Sequence, residues 1–202
     1  MTAPLLPTPS QTAGPFVSIG TEWLTPEGTA GPEDVVVITG VVRDGAGAPV
    51  TDAMLEFWQA PAGGGHLGVG ARGSSAAGAG GSPAAGAVLR GGFSRALTDG
   101  EGRYRLVARK PLEAAHNEAP HVDVSIFARG LLQRLVTRIY FPGQASNASD
   151  PVLAQLGDEL RGRLIARLGA SEGGPGTSSL APVYHFNINL QGDEETVFFA
   201  TW

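Results

Sequence analysis

The sequence VVVITGVVRDGAGAPVTDAMLEFWQ, residues 35–59, decides the fold. Its first part, residues 35–42, is mostly β-branched, which favours an extended strand. An Asp-Gly turn follows at residues 44–47, and a second strand with alternating side chains is predicted at residues 54–59. Two short strands joined by a glycine-containing turn are typical of an all-β architecture.

The rest of the chain repeats this pattern of short strands and turns. Further strands are predicted at residues 103–109, 122–128, 132–141, 184–190 and 196–199. The strands at 122–128 and 132–141 are expected to form a hairpin around Arg129 and Gly130. Many short strands separated by Gly or Asp turns indicate an all-β sandwich.

Three segments depart from this pattern. Residues 1–34 contain repeated prolines and predict an extended N-terminal arm that packs on a neighbouring surface. Residues 61–92 are rich in glycine and alanine, and predict a long loop within the sandwich domain of residues 35–202. Residues 150–168 place apolar side chains near helical spacing after an Asp-Pro pair, and predict the one helix.

Composition excludes several classes of protein. The net charge is −5, so nucleic-acid binding would lack its main electrostatic term. No run approaches the ~18 apolar residues of a membrane span, and there are no cysteines for disulfides or thiolate metal sites. The first residues have no basic region followed by an apolar run, so we expect no secretory signal and a cytoplasmic protein.

Residues 120–125, PHVDVS, carry the most suggestive side chains. Alternate residues of a strand share a face, so His121 and Asp123 should point one way and Val122 and Val124 the other. A histidine and a second ligand two residues on can form half of a metal site. The pattern alone leaves open a metal site or a hydrogen-bonded pair without a metal.

Several sequence blocks, in this order, resemble the intradiol ring-cleavage dioxygenases. The blocks are residues 40–59, Asp99-Gly100-x-Gly102-x-Tyr104, Lys110-Pro111, Pro120-His121-Val122-Asp123, Arg138-x-Tyr140-Phe141 and Thr196-Val197-Phe198-Phe199. The resemblance implies a sandwich of the intradiol type. It also implies a role in opening catechols between their two hydroxyls with O2 at a non-haem ferric ion.

The resemblance further implies that the iron is not held by this chain. The family holds its iron by two tyrosines and two histidines, and tyrosinate oxygens suit ferric iron. Here the first tyrosine position reads His66 and residues 112–120 contain no tyrosine. The first histidine position keeps a histidine, His121, and the second is Asp123. His66, His121 and Asp123 are thus vestigial positions. The Fe(3+) is expected on a partner beta chain, and this chain looks like an alpha chain of a hetero-oligomer.

The same resemblance implies a substrate-binding role. Residues 8–16 and 125–130 look like those of an iron-free alpha chain, whose pocket positions carry over to Gly14, Pro15, Phe16 and Arg129. Arg129 would offer a persistent cation to a substrate carboxylate, and Gly14-Pro15 a rigid backbone that approaches the substrate closely. No catalytic residue is assigned to this chain.

Two alternatives stay open. The chain could be a stand-alone metalloenzyme that uses His66, His116, His121 and Asp123. It could also be a non-catalytic binding module, because transthyretin-like domains share the turn pattern of the sandwich. Trp58 lies in the middle of a predicted strand, so we expect it in the core.

Overall fold

The computed structural model describes residues 10–14, 35–59, 87–89, 92–111, 118–173 and 180–200, with the backbone alone at 87–89 and 172–173. Most of the arm at 1–34 and of the glycine-rich segment at 61–92 therefore lies outside the described residues. Among the described residues, no helix is long and apolar enough to cross a membrane.

Short strands dominate the described chain. They are β1 (Val35–Arg43), β2 (Met54–Trp58), β3 (Ala87–Leu89), β4 (Phe93–Leu97), β5 (Arg103–Arg109), β6 (His121–Phe127), β7 (Leu135–Tyr140), β8 (Arg167–Leu168), β9 (Glu172–Gly173), β10 (Leu180–Ala181), β11 (Val183–His185) and β12 (Ile188–Asn189). One α-helix, α1 (Asp158–Gly162), and two 3-10 turns at Ala145–Ala148 and Leu153–Gln155 complete the list.

The strands form two main sheets, which confirms the all-β sandwich. One sheet has the order β3-β5-β1-β11-β8, with β12 pairing the end of β1. The other has the order β4-β2-β6-β7, in which all neighbours are antiparallel. The predicted hairpin is the β6–β7 pair of this second sheet.

The core lies between the two sheets. The long strands of the two sheets contribute alternate apolar side chains to one cluster, as the period of two requires. Its fully buried members include Ile38, Val42, Leu55, Phe57, Leu106, Val122, Val124, Ile126 and Ile139. Burying each such side chain contributes about 1.5–3 kcal/mol, so this cluster is the main source of stability. It also leaves the opposite face of β6 free to carry polar groups.

The predicted helix at 150–168 is much shorter than expected. Only Asp158–Gly162 is α-helical, and Leu153–Gln155 forms a 3-10 turn. After α1 the backbone pairs with the sheet instead, since Tyr140 N–H donates to Leu164 O and Ala166 N–H donates to Tyr140 O, both at 2.9 Å. Tertiary backbone pairing therefore overrides the local helical spacing.

Other predicted boundaries also need correction. The strand expected at 184–190 is split into β11 and β12, and residues 196–199 contribute one isolated bridge at Phe199. β4 was not predicted; its inward side chains are the small Ser94 and Ala96, which give a weak hydrophobic signal. β3 lies inside the segment that was expected to be loop.

Candidate functional site

His121 and Asp123 lie on the outward face of β6, as the alternation of the strand predicts. Val122 and Val124 are fully buried on the other face. In the β6–β7 pair, His121 lies opposite Tyr140 and Asp123 lies opposite Arg138. The sheet therefore brings an imidazole, a carboxylate, a phenol and a guanidinium together at one end of two neighbouring strands.

Arg138 is bound to Asp123. Its Nε donates to Asp123 Oδ1 at 2.9 Å, and its Nη1 lies 3.6 Å from Glu118 Oε1. Nη1 also donates to the hydroxyl of Tyr140 at 3.4 Å. Burial alone would lower the pKa of Arg138, but the Tyr140 hydroxyl and the two carboxylates outweigh burial and raise it. Arg138 therefore has two acidic partners, Asp123 and Glu118.

The His121 ring is held in one orientation. Its Nδ1 lies 2.7 Å from the carbonyl oxygen of Ala119, which can only accept, so Nδ1 carries the proton. The side chain is only 9% exposed, and Nε2 lies 3.8 Å from Asp123 Oδ2. This distance is too long for a hydrogen bond.

Behind this face, Tyr140 and Asp150 form a buried support. The Tyr140 hydroxyl donates to Asp150 Oδ1 at 3.2 Å, and burial raises the pKa of Tyr140 to about 12. Burial would raise the pKa of Asp150 as well. Hydrogen bonds from the backbone N–H groups of Leu153, Ala119 and Val152, and from Tyr140, outweigh burial and lower the pKa of Asp150. This buried carboxylate ties β7 to two surrounding loops.

The described donors do not fit a ferric ion bound by two tyrosines and two histidines. All three tyrosines of the chain are described, and none is a free tyrosinate donor. Tyr104 donates its hydroxyl to Phe186 O at 2.6 Å, Tyr140 is bound as above, and Tyr184 lies buried in β11. Asp123 Oδ1 already accepts a hydrogen bond from Arg138. Over the described part of the chain, no group of three or more His, Cys, Asp or Glu side chains could hold a metal. His66 and His116 lie outside the described residues.

A second group of predicted residues meets at the other end of β6. The turn after β6 carries Arg129, whose Nε donates to Asp52 Oδ2 in the connection between β1 and β2. The Arg129 side chain is 62% exposed. The next residue, Gly130, has a positive φ of 89°, which favours glycine, and its N–H donates to Thr12 Oγ1 at 2.7 Å.

Thr12 therefore fixes a piece of the arm to the turn that carries Arg129. Gly14 lies two residues further along, exposed, with no neighbouring atom within 4 Å of the position of a Cβ. The backbone next to Gly14 and the turn that carries Arg129 therefore lie on the same surface. Pro15 and Phe16 lie outside the described residues.

Sequence reasoning missed the partners of these side chains. Glu118, Asp52 and Thr12 were not singled out, and the pairing of Arg138 with Asp123 was not predicted. The cross-strand register carries the signal for Arg138, but Asp52 lies 77 residues from Arg129 and has no local signature.

Trp58 is not in the core, contrary to prediction. It lies opposite Asp123 on the outward face of the sheet, where it is 43% exposed. Its ring packs on Phe93 with centroids 4.4 Å apart, and Arg95 lies over the Phe93 ring while bound to Glu56. The core positions of β2 are instead filled by Leu55 and Phe57.

Comparisons with known proteins agree on one family. A family model described as "Dioxygenase" matches residues 18–192. The chain is 36% identical over 207 residues to the protocatechuate 3,4-dioxygenase alpha chain of Burkholderia cepacia, covering 95% of this chain and 96% of that protein. It is 33% identical over 172 residues to the beta chain from the same organism, covering 80% of this chain and 66% of that one. In fold it is similar to the dioxygenase domain of a carbohydrate-binding fusion protein from Streptomyces sp. SirexAA-E, with a TM-score of 0.56, 21% identity and coverage of 95% and 96%.

Proposed function

The chain belongs to the intradiol dioxygenase family, and from this membership we propose that it serves as an alpha chain of protocatechuate 3,4-dioxygenase. Its partner would be a beta chain that carries the non-haem Fe(3+). The alpha chain would form part of the substrate pocket of that beta chain. Residues 1–34 would be the arm that packs on the partner. A chain without cysteine needs no oxidising compartment, which agrees with a cytoplasmic setting.

The reaction proposed for the pair is cleavage of protocatechuate between its two hydroxyl-bearing carbons. Both atoms of O2 enter the product, 3-carboxy-cis,cis-muconate, in the β-ketoadipate route of aromatic catabolism. The iron of the partner would supply the binding and activation of the catechol. The residues that this chain contributes to the pocket would bind and orient the substrate.

Arg129 is the residue proposed to meet the substrate. The Arg129 side chain is 62% exposed, and the contact with Asp52 uses Nε, leaving the two terminal nitrogens to donate elsewhere. A planar guanidinium binds a carboxylate through two parallel hydrogen bonds. Protocatechuate differs from catechol by one carboxylate, so Arg129 is suited to select it.

The observation that carries this proposal is the contact between the arm and the Arg129 turn. The Gly130 N–H donates to Thr12 Oγ1 at 2.7 Å, so the arm and the turn present one continuous surface. That surface contains the two described positions, Gly14 and Arg129, that the family resemblance assigns to the pocket. Pro15 and Phe16 would extend it along the arm.

The test is a reconstituted complex. The chain is co-produced with a candidate beta chain and purified, and iron content, oxygen uptake and protocatechuate cleavage are measured. We expect Arg129→Ala to raise the KM for protocatechuate about tenfold or more, as loss of a charged hydrogen-bonded contact costs about 1.5–3 kcal/mol. Iron content and kcat should not change.

Arg134→Ala is the matched control, because Arg134 is an exposed arginine in the same β6–β7 connection. It should leave KM at the wild-type value. An unchanged KM in Arg129→Ala would remove Arg129 from the pocket. Stoichiometric iron with catechol cleavage by the chain alone would replace the proposal with a stand-alone enzyme. A stable monomer that joins no beta chain would favour a binding module.

A further inference from the structure

We propose that Trp58 and Asp123 form a docking point for an arginine side chain of a partner protein. The two residues lie opposite each other on β2 and β6, on the outward face of the sheet. They offer an aromatic ring and a carboxylate to the same region of solvent, and a guanidinium binds both kinds of group. The site consists of residues of this chain alone, so it does not rest on the proposed pairing with a beta chain.

The exposure of the two side chains is the first observation. Trp58 is 43% exposed although it lies in a strand, and the Asp123 side chain is also 43% exposed. Residues directly opposite on neighbouring strands have Cβ atoms about 4.5–5.5 Å apart. One part of the indole packs on Phe93, with ring centroids 4.4 Å apart. A guanidinium that lies on the exposed part of the indole can therefore reach the carboxylate.

A neighbouring group on the same face of the sheet shows the complete arrangement. The guanidinium carbon of Arg95 lies 5.3 Å from the centre of the Phe93 ring, and Arg95 Nε donates to Glu56 Oε1 at 2.7 Å. A ring, a carboxylate and a guanidinium thus contact one another there. Trp58 and Asp123 repeat the ring and the carboxylate, and none of the described arginines stacks on Trp58. Since tryptophan attracts cations more strongly than phenylalanine does, a guanidinium from outside would complete this second group.

The carboxylate of Asp123 has room for a second guanidinium. Arg138 Nε donates to Oδ1 at 2.9 Å, whereas a carboxylate has lone pairs for about four hydrogen bonds. Oδ2 lies 3.8 Å from His121 Nε2, which is beyond hydrogen-bond distance. Arg138 also lies 3.6 Å from Glu118, so two carboxylates share one guanidinium and keep a net negative charge. The local field therefore attracts a further cation.

A protein side chain is a better source of this guanidinium than a small molecule. Small ligands are usually held in concave pockets that surround most of their surface. Trp58 and Asp123 instead lie on the outward face of a sheet, which the surface of another protein can approach. Tryptophan and arginine are also enriched among the residues that contribute most of the binding energy at protein interfaces.

The experiment titrates the isotope-labelled full chain with an acetylated and amidated Gly-Gly-Arg-Gly-Gly peptide and follows the indole N–H resonance of Trp58 by NMR. The loss of this resonance in Trp58→Leu assigns it. We expect a saturable shift with a dissociation constant of about 1–10 mM. The same peptide with citrulline, which has the shape of arginine without its charge, should bind about tenfold more weakly.

Three results of this titration would overturn the proposal. The first is the lack of a saturable shift with the arginine peptide. The second is equal binding of the citrulline peptide, because the charge of the guanidinium would then play no part. The third is tighter binding of agmatine than of the arginine peptide, because the site would then suit a free guanidinium compound and not a protein side chain.

The variant Asp123→Asn tests the carboxylate. It should weaken binding of the arginine peptide about tenfold, because a hydrogen bond to a charged group is lost. Asp158→Asn is the matched control, since it removes the same charge from a side chain on α1 that is 99% exposed. It should leave the dissociation constant unchanged. An equal loss in both variants would mean that net charge alone attracts the peptide, which would overturn the assignment.

The variant Trp58→Leu tests the ring, and it decides the matter even if Asp123→Asn does not fold. Leucine keeps an apolar side chain at this half-exposed position but has no π-face to attract a cation. Binding, followed at the backbone amide of Asp123, should weaken about three- to fivefold. Trp58→Phe keeps an aromatic face and should retain most of the affinity. Unchanged binding in Trp58→Leu would overturn the proposal.

Discussion

Asp52 and Arg129 form an ion pair that joins the β1–β2 connection to the turn after β6. Asp52 is the more buried partner, with a side chain 30% exposed against 62% for Arg129. The contact with Asp52 uses the Nε of Arg129. We infer that Asp52 orients the Arg129 side chain through this contact.

This relationship predicts a positioning role for Asp52. In the reconstituted complex, we expect Asp52→Asn to raise the KM for protocatechuate about two- to fivefold with kcat unchanged, since an exposed ion pair contributes up to about 1 kcal/mol. Glu159→Gln, which weakens the pair between the exposed Glu159 of α1 and Arg163 just after it, is the control and should leave KM unchanged. A fall in kcat with no change in KM would contradict the positioning role.

The contact between Thr12 and Gly130 predicts that the arm is held on the turn after β6. Thr12→Val removes the hydroxyl that accepts from Gly130 N–H while keeping the shape of the side chain. Loss of one hydrogen bond of about 1 kcal/mol should speed hydrogen exchange at the Gly130 amide about fivefold. Thr12→Ser, which keeps the acceptor, should restore the slow rate. Equal exchange in wild type and Thr12→Val would mean that this contact does not hold the arm.

Replacing Gly40 by alanine is expected to cause a severe folding defect. A Cβ at this position would lie 1.8 Å from Phe186 O, and the same oxygen accepts from the Tyr104 hydroxyl at 2.6 Å. Backbone crosses backbone there, so Gly40→Ala cannot be relieved by moving one side chain. We expect a loss of more than about 4 kcal/mol or no folded protein, measured by urea unfolding. Gly100→Ala, where no atom lies within 4 Å of the Cβ position, should stay within about 1 kcal/mol of wild type.

The strands of the core could be predicted because their signal is local. Alternation within residues 122–128 places Val122 and Val124 inside and His121 and Asp123 outside, and β5 was predicted with the bounds that the structure has. Which residue faces Asp123 is not local information. A hairpin centred between Arg129 and Gly130 would place Asp123 opposite Val136, whereas the longer connection places it opposite Arg138. A shift of one residue in the centre of the turn therefore hides the ion pair between Asp123 and Arg138.

The prediction for the region after β7 was wrong for a different reason. Spacing of apolar residues over 150–168 fits a helix, but spacing does not say which surface takes each side chain. Leu153 and Leu164 are fully buried in a small cluster with Tyr140, while Leu160, on the same predicted stripe, is 42% exposed. Leu153 N–H donates to the buried carboxylate of Asp150, and residues 164–166 form backbone hydrogen bonds with Tyr140 at the end of β7. These contacts replace one continuous helix.

The hydrogen bonds of Asp150 predict how the stability of the fold changes at low pH. Its carboxylate accepts from the N–H groups of Ala119, Val152 and Leu153, each at 2.9 Å, and its pKa is lowered despite burial. A carboxyl whose folded pKa lies below its unfolded value of about 3.9 stabilises the fold above that pH. This contribution is lost as the pH falls through the folded pKa.

Asp150→Asn should lower the free energy of unfolding at pH 7 by about 2–3 kcal/mol, because one acceptor is replaced by a donor facing backbone N–H groups. The difference between Asp150→Asn and wild type, measured by urea unfolding from pH 7 to pH 3, should narrow as the pH falls. A constant difference across that range would contradict the assignment of Asp150 as a charged acceptor in the folded chain.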